Sequence, residues 1–236
     1  MTAAFEQQVA TEGGWTFWRG REAAIGGALL VAVGFLTLLG IIVAESFYPG
    51  YNAGVQEISD LGASRPPNSV ILEPSATIFN TTMLLAGAMV LLAAPLLHRV
   101  FRARGLTAVL ALLGVGLLGV GVFDGSEAPM HGLFALLTFT MGGLAAVVAG
   151  RTFEGAFRYL SLAVGLFVLG LLGSLIGLGM AGIVHPFAPL GIGGIERLVA
   201  YPALLWLLAF GGYTLGRTAQ PETHTRTTGV IESDLE

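Results

Sequence analysis

The sequence contains no cysteine and no lysine, and charged residues occupy only 11% of its 236 positions. Without cysteine, disulfide bonds and thiolate metal sites are excluded. Soluble domains carry roughly 25% charged residues, so this chain lacks the polar surface that a soluble protein of its length needs. A net charge of −4 does not favour a nucleic-acid partner. The remaining composition, with a mean hydropathy of +0.79, is typical of an integral membrane protein.

Long apolar runs predict an all-α fold, a bundle of six transmembrane helices. A helix needs about 20 apolar residues to cross ~30 Å of hydrocarbon. Six runs approach or exceed that length: 23–45, 76–97, 106–123, 130–150, 159–183 and 196–216. They divide the chain into an N-terminal segment (1–22), a transmembrane domain (23–216) and a polar tail (217–236) that we expect to be disordered. The first segment carries aromatic residues typical of the membrane interface: Trp15, Phe17 and Trp18.

The arginines predict the orientation of this bundle, because positively charged residues remain on the cytoplasmic side of a membrane. Only Arg65 and Arg197 fall on one side of the predicted spans. The other side holds nine arginines: Arg19, Arg21, Arg99, Arg102, Arg104, Arg151, Arg158, Arg217 and Arg226. We therefore expect a multi-pass protein of the cell membrane with both termini in the cytoplasm. The first loop (46–75), the turn near 124 and the loop 184–194 are then extracytoplasmic.

Glycines in two spans predict close helix packing. Gly170, Gly173 and Gly177 share one face of span five, and Gly114 and Gly121 lie one heptad apart in span three. Small residues let helix backbones approach each other in lipid. We expect these faces to form tight interfaces inside the bundle, or contacts with a second copy or another membrane protein.

The first outer loop predicts a short interfacial helix over 52–62. Asn52 is suited to the N-cap and Gly62 to the position after the last turn. The apolar residues between them share one face, so the helix is expected to lie on the outer membrane surface with that face down. Its other face carries Glu57, Ser59 and Asp60. These polar residues either point to solvent or turn inward and cap a cavity in the bundle.

The turn "FDGSEAPMHG" (123–132) places ionisable residues at the edge of the apolar layer. Asp124 or Ser126 is suited to cap span four. If that helix starts near Glu127, then Glu127 and His131 share a face and His131 lies about one turn below the membrane surface. Ionisable groups inside a membrane are costly and usually face a cavity or a partner. Helix capping does not explain His131, so we expect it to belong to a site.

Further polar residues lie at the same side of the predicted bundle. Asn80 opens span two, where its amide needs a hydrogen-bonding partner. His185 lies in a mostly apolar loop after span five. Glu196 and Arg197 open span six, where Arg197 is expected either to reach the headgroups or to pair with an acidic residue of the turn, Asp124 or Glu127. If the outer ends of the spans converge, all these side chains form one site.

Four segments resemble the family called domain of unknown function 998, a group of small six-helix membrane proteins of bacteria and archaea. They are "YPGYNAGVQEISDLGA", "PSATIFNTTMLLAG", "FDGSEAPMHGLFA" and "GGIERLVAYPALLW". The resemblance covers most of residues 25–215, and its most specific parts are 58–63 and 78–80. It implies the six-helix topology and a prokaryotic source. It implies no activity.

Three classes of function follow from these residues. The first, which we favour, is a protein that binds membrane lipids or another amphiphile in an outer pocket, or whose polar residues act as a structural lock. The ligand-binding residues would then be Glu57, Ser59, Asp60, Asn80, Glu127, Glu196 and Arg197. The second is a lipid-directed hydrolase or transferase. The third is a small transporter, although the spans show neither an internal repeat nor central charges in spans one, three and five.

The enzyme hypothesis assigns catalysis to Asp124, His131 and His185. His131 would act as a general base, and Arg197 would stabilise a phosphate or an oxyanion. Alternatively the same three side chains would hold a zinc ion with an activated water at its open position. The sequence contains no motif with paired metal-binding histidines, so the zinc signal is weak.

Overall fold

The computed structural model describes the backbone of residues 2–218 and the side chains of residues 20–217, and in this part every regular element is helical. The long helices are α1 (Thr2–Ser46), α2 (Ser75–Phe101), α3 (Arg104–Val122), α4 (Ala128–Thr152), α5 (Ala156–Met180) and α6 (Gly191–Thr218). Among these residues, six helices are long and apolar enough to cross a membrane. The all-α multi-pass bundle is confirmed. The expectations for Trp15, Phe17 and Trp18 and for the tail beyond residue 218 lie outside the described side chains.

The helix ends differ most from the prediction at the start of α1, which begins at Thr2 and not near residue 23, and around the last loop. α5 ends at Met180, where Gly182 turns the chain with a φ of 69°. α6 begins at Gly191, about five residues earlier than predicted, after a single 3-10 turn at Ala188–Leu190. Glu196 and Arg197 therefore lie in the second turn of α6 rather than at its first residue.

The helices form a closed ring. Each helix from α1 to α5 packs against the next one in sequence, and α6 packs extensively against α1 and less against α5 and α4. The core contains fully buried side chains from several helices, such as Leu30, Val90, Leu110 and Phe210. The loops 47–74, 123–127 and 181–190 lie at one end of this ring. We call it the outer end, after the predicted orientation.

The glycine predictions have two different outcomes. Gly114 and Gly121 pack against α2 so closely that a Cβ on Gly121 would lie 2.8 Å from the carbonyl oxygen of Asn80. In α5, a Cβ on Gly170, Gly173 or Gly177 would meet no atom within 4 Å. The expected interface inside the bundle is confirmed for α3 and wrong for α5. Contact of the α5 face with another chain stays a prediction.

The prediction of an interfacial helix over 52–62 is wrong. The loop contains only one 3-10 turn, Ser59–Leu61. Its apolar residues do not share a surface: Ile58 and Leu61 are buried in the bundle, whereas Val55 is 68% exposed. The physical reason is that the bundle offers these two side chains a packed core, which a helix lying flat on the membrane surface would forgo.

Close backbone contacts hold this first outer loop across the outer end. A Cβ on Gly125, in the turn before α4, would lie 1.9 Å from the carbonyl oxygen of Ala63. On the other side, the amide of Gly193 in α6 donates to the carbonyl of Gly54 at 3.2 Å. The hydroxyl of Ser75 at the start of α2 donates to the carbonyl of Leu61 at 3.1 Å. Only glycine permits the contact at position 125, because any side chain would collide with the loop.

Candidate functional site

A cavity of about 110 Å³ lies beneath the first outer loop, in the outer half of the bundle. Helices α1, α2, α3, α4 and α6 line it together with Ile58 and Ser59 of the loop. On α6 the lining runs from Glu196 to Leu207, which spans about 16 Å at 1.5 Å per residue. A small volume spread over that length describes a narrow slot. Most of the lining side chains are apolar, and the few polar ones are Thr37, Ser59, His131, Thr138, Glu196 and Tyr201.

His131 lines this cavity and carries a buried ring nitrogen without a partner among the described residues. The side chain is only 3% exposed, and its Nδ1 lies 2.8 Å from the carbonyl oxygen of Phe123. A carbonyl only accepts, so the proton is on Nδ1. Nε2 is buried and has no hydrogen-bonding partner among the described residues. In the neutral ring Nε2 carries a lone pair, and the bond to Phe123, the residue that follows α3, holds the ring in place.

Two threonines on facing helices add unpartnered hydroxyls to the cavity lining. The Oγ1 atoms of Thr37 in α1 and Thr138 in α4 are buried without a partner in the part of the chain that the structure describes. Thr82, by contrast, donates to the carbonyl of Ile78 at 2.7 Å, as buried threonines in helices commonly do. Buried polar atoms in native proteins are usually hydrogen-bonded. Three of the described buried atoms without a partner, those of Thr37, Thr138 and His131, therefore belong to residues that line this one cavity.

Glu196 connects the cavity to the loop above it. Its carboxylate accepts a hydrogen bond from the backbone amide of Ile58, and the side chain lines the cavity. Glu57 and Asp60 lie close enough to act on Glu196 electrostatically. The prediction that polar residues of this loop turn inward holds for Ser59, which is buried and lines the cavity.

Glu57 and Asp60 are partly buried in the loop above the cavity. The amide of Glu57 donates to the carboxylate of Asp60 at 2.9 Å, and the carboxylate of Glu57 pairs with Arg65 at 2.8 Å. Burial raises the pKa of Glu57 above its ordinary value, and the charge of Arg65 opposes part of that rise. The carboxyl groups of Glu57, Asp60 and Glu196 therefore lie close together where the loop meets the cavity, and we call this part the mouth of the cavity.

Arg197 ties the loop to the helices. Its Nη1 donates to the carbonyls of Ala53, Gln56 and Gly193 at 2.9–3.2 Å. Its Nη2 donates to the carboxylate of Glu45 and to the hydroxyl of Tyr51, both at 2.7 Å. The expected pairing with Asp124 or Glu127 is wrong, because the loop brings Tyr51 and the end of α1 to Arg197 instead. Every one of these contacts is within the protein, so the guanidinium is structural.

Sequence reasoning missed Glu45 and Tyr51 as members of this network. The hydroxyl of Tyr51 also donates to the carbonyl of Glu57 at 2.8 Å. Burial raises the pKa of Tyr51 to about 12, so the phenol stays protonated and keeps this bond over the whole physiological range. The only available signal was Glu45 itself, a carboxylate at the outer end of the first apolar run.

The remaining predicted residues lie outside the cavity lining. Asp124 accepts from the amide and the hydroxyl of Ser126 and so caps the 3-10 turn Gly125–Glu127. Glu127 is exposed. Asn80 contacts Gly62 of the loop, and its Oδ1 is the fourth buried atom without a partner among the described residues.

His185 belongs to a separate group of contacts. Its Nδ1 accepts from the amide of Phe187 at 3.1 Å, and its Nε2 lies 3.1 Å from the hydroxyl of Ser174. It does not line the cavity. Within the described residues, no three His, Cys, Asp or Glu side chains are grouped as a metal site. The zinc ligand set His131, His185 and Asp124 is therefore not brought together, because each of these side chains is directed to its own local partner.

Comparison with known proteins gives a match to a protein family over most of the chain. A family model described as protein of unknown function (DUF998) matches residues 13–213, which is most of the chain. No curated protein and no solved structure matches it.

Proposed function

Because the chain belongs to the DUF998 family, whose description assigns no activity, we propose a function from the cavity itself: the protein binds a single-chain amphiphile in the outer half of the bundle. The polar group would lie at Ser59, His131 and Glu196, and the chain would extend inward along the apolar lining. The observation that carries this proposal is that His131 lines the cavity and that its buried Nε2 has no partner among the described residues.

The dimensions of the cavity favour one hydrocarbon chain over a ring system. Its 110 Å³ is below the roughly 300–1,000 Å³ of pockets that hold drug-sized ligands. It is also below the ~150 Å³ of an apolar cavity that accommodates benzene. A volume this small that still extends about three turns along α6 excludes a ring system and has room for only part of a hydrocarbon chain, so a longer chain would have to displace lining side chains.

The Arg197 network supplies the structural part of the same proposal. It holds the loop residues that close the outer end, and Ile58 and Ser59 of that loop line the cavity. We infer that the polar residues divide into two roles. Arg197, Glu45 and Tyr51 position the loop, whereas His131 contacts the ligand.

Photolabelling tests the proposal. The protein is reconstituted in phosphatidylcholine vesicles and exposed to dodecyl probes that carry a diazirine in the chain, with several different headgroups. Labelled residues are then mapped by mass spectrometry. We expect saturable labelling of cavity residues such as Val33, Leu117 and Leu207 by at least one probe.

Two neighbouring residues in α4 provide a matched pair of variants. Ala135 lines the cavity, whereas Leu136 is 44% exposed on the outside of the bundle. Ala135→Phe fills the slot and should abolish saturable labelling, and Leu136→Phe should leave it unchanged. Labelling that does not saturate with any headgroup, or that is equal in the two variants, would refute the proposal.

One observation favours a second candidate, a lipid-directed hydrolase. Nε2 of His131 is a buried acceptor without a partner among the described residues, and a general base needs a free acceptor of this kind. The five hydrogen bonds that Arg197 donates to protein atoms leave it poorly placed to stabilise an oxyanion. Hydrolysis of dodecyl ester lipids by the reconstituted protein, lost in His131→Gln, would favour the enzyme; turnover equal to that of empty vesicles would exclude it for these substrates.

A further inference from the structure

We propose that the bound amphiphile is a neutral long-chain alcohol, whose hydroxyl donates a hydrogen bond to Nε2 of His131. This inference rests on the proposed function and specifies its ligand class. It depends on two features of the described lining: a hydrogen-bond acceptor on His131, and the lack of an arginine or lysine.

The cavity offers an acceptor that is fixed in position. The carbonyl of Phe123 keeps the proton of His131 on Nδ1, so Nε2 of the neutral ring can only accept. An imidazolium would instead turn a second N–H toward the cavity, where the described residues provide it with no hydrogen-bonding partner. A ligand that satisfies Nε2 must therefore bring a donor of its own.

The cavity offers no cation to an anionic headgroup. None of the described residues that line it is an arginine or a lysine. The nearest arginine of the site, Arg197, directs its donors to five protein oxygens. Glu196 lines the cavity, and Glu57 and Asp60 lie beside it. A phosphate or carboxylate would be desolvated next to carboxyl groups without a compensating positive charge.

The acidic mouth alone would also attract an ammonium headgroup, but the rest of the slot does not suit one. An ammonium has three N–H donors and is strongly hydrated. Taking it into a slot with a mostly apolar lining carries the cost of burying a charge. A hydroxyl needs only one acceptor for its single proton and carries no charge. Its oxygen can also accept a hydrogen bond.

Competition between headgroups tests the inference in the wild-type protein. Unlabelled dodecanol, its methyl ether, dodecylamine, dodecanoate and dodecyl phosphate compete with a photoreactive dodecanol in phosphatidylcholine vesicles, at equal mole fractions in the bilayer. We expect dodecanol to compete about tenfold better than the methyl ether, because the ether has no proton to donate. Against dodecanoate and dodecyl phosphate we expect an advantage on the order of 100-fold.

Two variants identify the acceptor. His131→Leu should remove the difference between dodecanol and its methyl ether. Thr138→Val, which removes another cavity hydroxyl at nearly the same volume, should preserve that difference. If His131→Leu does not fold, the wild-type series still decides, because it requires no variant.

The possible results distinguish a failure of this inference from a failure of the proposed function. The assignment of a neutral alcohol would be refuted if dodecylamine or either anion competed more strongly than dodecanol, or if the alcohol and the ether competed equally. The cavity would then remain a site for an amphiphile. Failure of every dodecyl probe to label the cavity would overturn both. Selective competition by dodecanol, lost in His131→Leu and retained in Thr138→Val, supports the inference.

Discussion

Replacing Arg197 by methionine should destabilise the protein more than any other single change among its outer polar residues. The substitution removes a guanidinium that donates to Glu45, to Tyr51 and to three backbone carbonyls. Methionine retains most of the apolar volume of the side chain. The loss is therefore one of polar contacts and not of packing.

The magnitude follows from burial. The side chains of Arg197 and Glu45 are 13% and 27% exposed. Removing one partner of a fully buried ion pair costs about 3–5 kcal/mol, because the other charge is left unpaired. Water reaches part of this pair, so we expect about 3 kcal/mol. In a protein of this length each kcal/mol lowers Tm by about 2–4 °C, which gives a decrease of about 6–12 °C.

The other outer arginine provides the control. Arg65 also pairs with a glutamate at 2.8 Å, but its side chain is 58% exposed. Exposed ion pairs contribute about 0–1 kcal/mol, so Arg65→Met should lower Tm by no more than about 4 °C. Arg197→Lys should fall between the two, since an ammonium keeps the charge near Glu45 without the fork of five donors.

The assay is thermal unfolding of the purified protein in one detergent, followed by intrinsic fluorescence and by near-UV circular dichroism. Variants are compared at the same scan rate, because membrane proteins often unfold irreversibly and Tm then depends on the rate. Equal decreases for Arg197→Met and Arg65→Met would refute the reasoning. A larger decrease for Arg65→Met would also refute it, because burial would then not determine how much each ion pair contributes to stability.

Three further predictions concern the loop, the topology and a close contact. Since burial raises the pKa of Tyr51 from 10 to about 12, the folded state holds the phenol proton more tightly; stability should be complete below about pH 10 and fall toward pH 12. When the free energy of unfolding is measured against pH, Tyr51→Phe should reduce this decrease, and an unchanged pH dependence would contradict the role of Tyr51. A cysteine at Ser126 should react with an impermeant maleimide from outside and one at Thr107 only from inside; the reverse pattern would invert the predicted orientation. Gly125→Ala places a Cβ 1.9 Å from a loop carbonyl and should lower Tm by several degrees, whereas Gly132→Ala meets nothing within 4 Å and should not; equal shifts would contradict the contact.

The predicted cluster of polar residues is only partly assembled by the fold. The sequence indicated that His131 needs a partner or a cavity, since an ionisable side chain one turn inside a membrane is costly otherwise. His131 does line the cavity, together with Ser59 and Glu196. Asp124 and His185 were assigned to the same catalytic and zinc sets as His131, yet they form local bonds with Ser126, Ser174 and Phe187. Hydrogen bonds to nearby residues satisfy Asp124 and His185, whereas Nε2 of His131 has no such partner among the described residues.

The first outer loop shows why the rest could not be predicted. Its pattern of apolar residues at helical spacing fits a surface helix as well as it fits a loop that inserts two side chains into a core. The contacts that decide between them come from far along the chain: Glu196 bonds Ile58 across 138 positions, and Arg197 bonds Glu45 across 152. No local pattern contains those pairings.

The sequence by itself determined that the chain crosses a membrane six times, because the hydrocarbon layer requires about 20 consecutive apolar residues for each helix and tolerates few charges. It also restricted polar chemistry to the ends of the spans. Only the tertiary structure decided which of these polar residues meet. Partner choice depends on how six helices are arranged around one another and on how close their backbones lie at positions such as Gly125, and both are properties of the packed bundle.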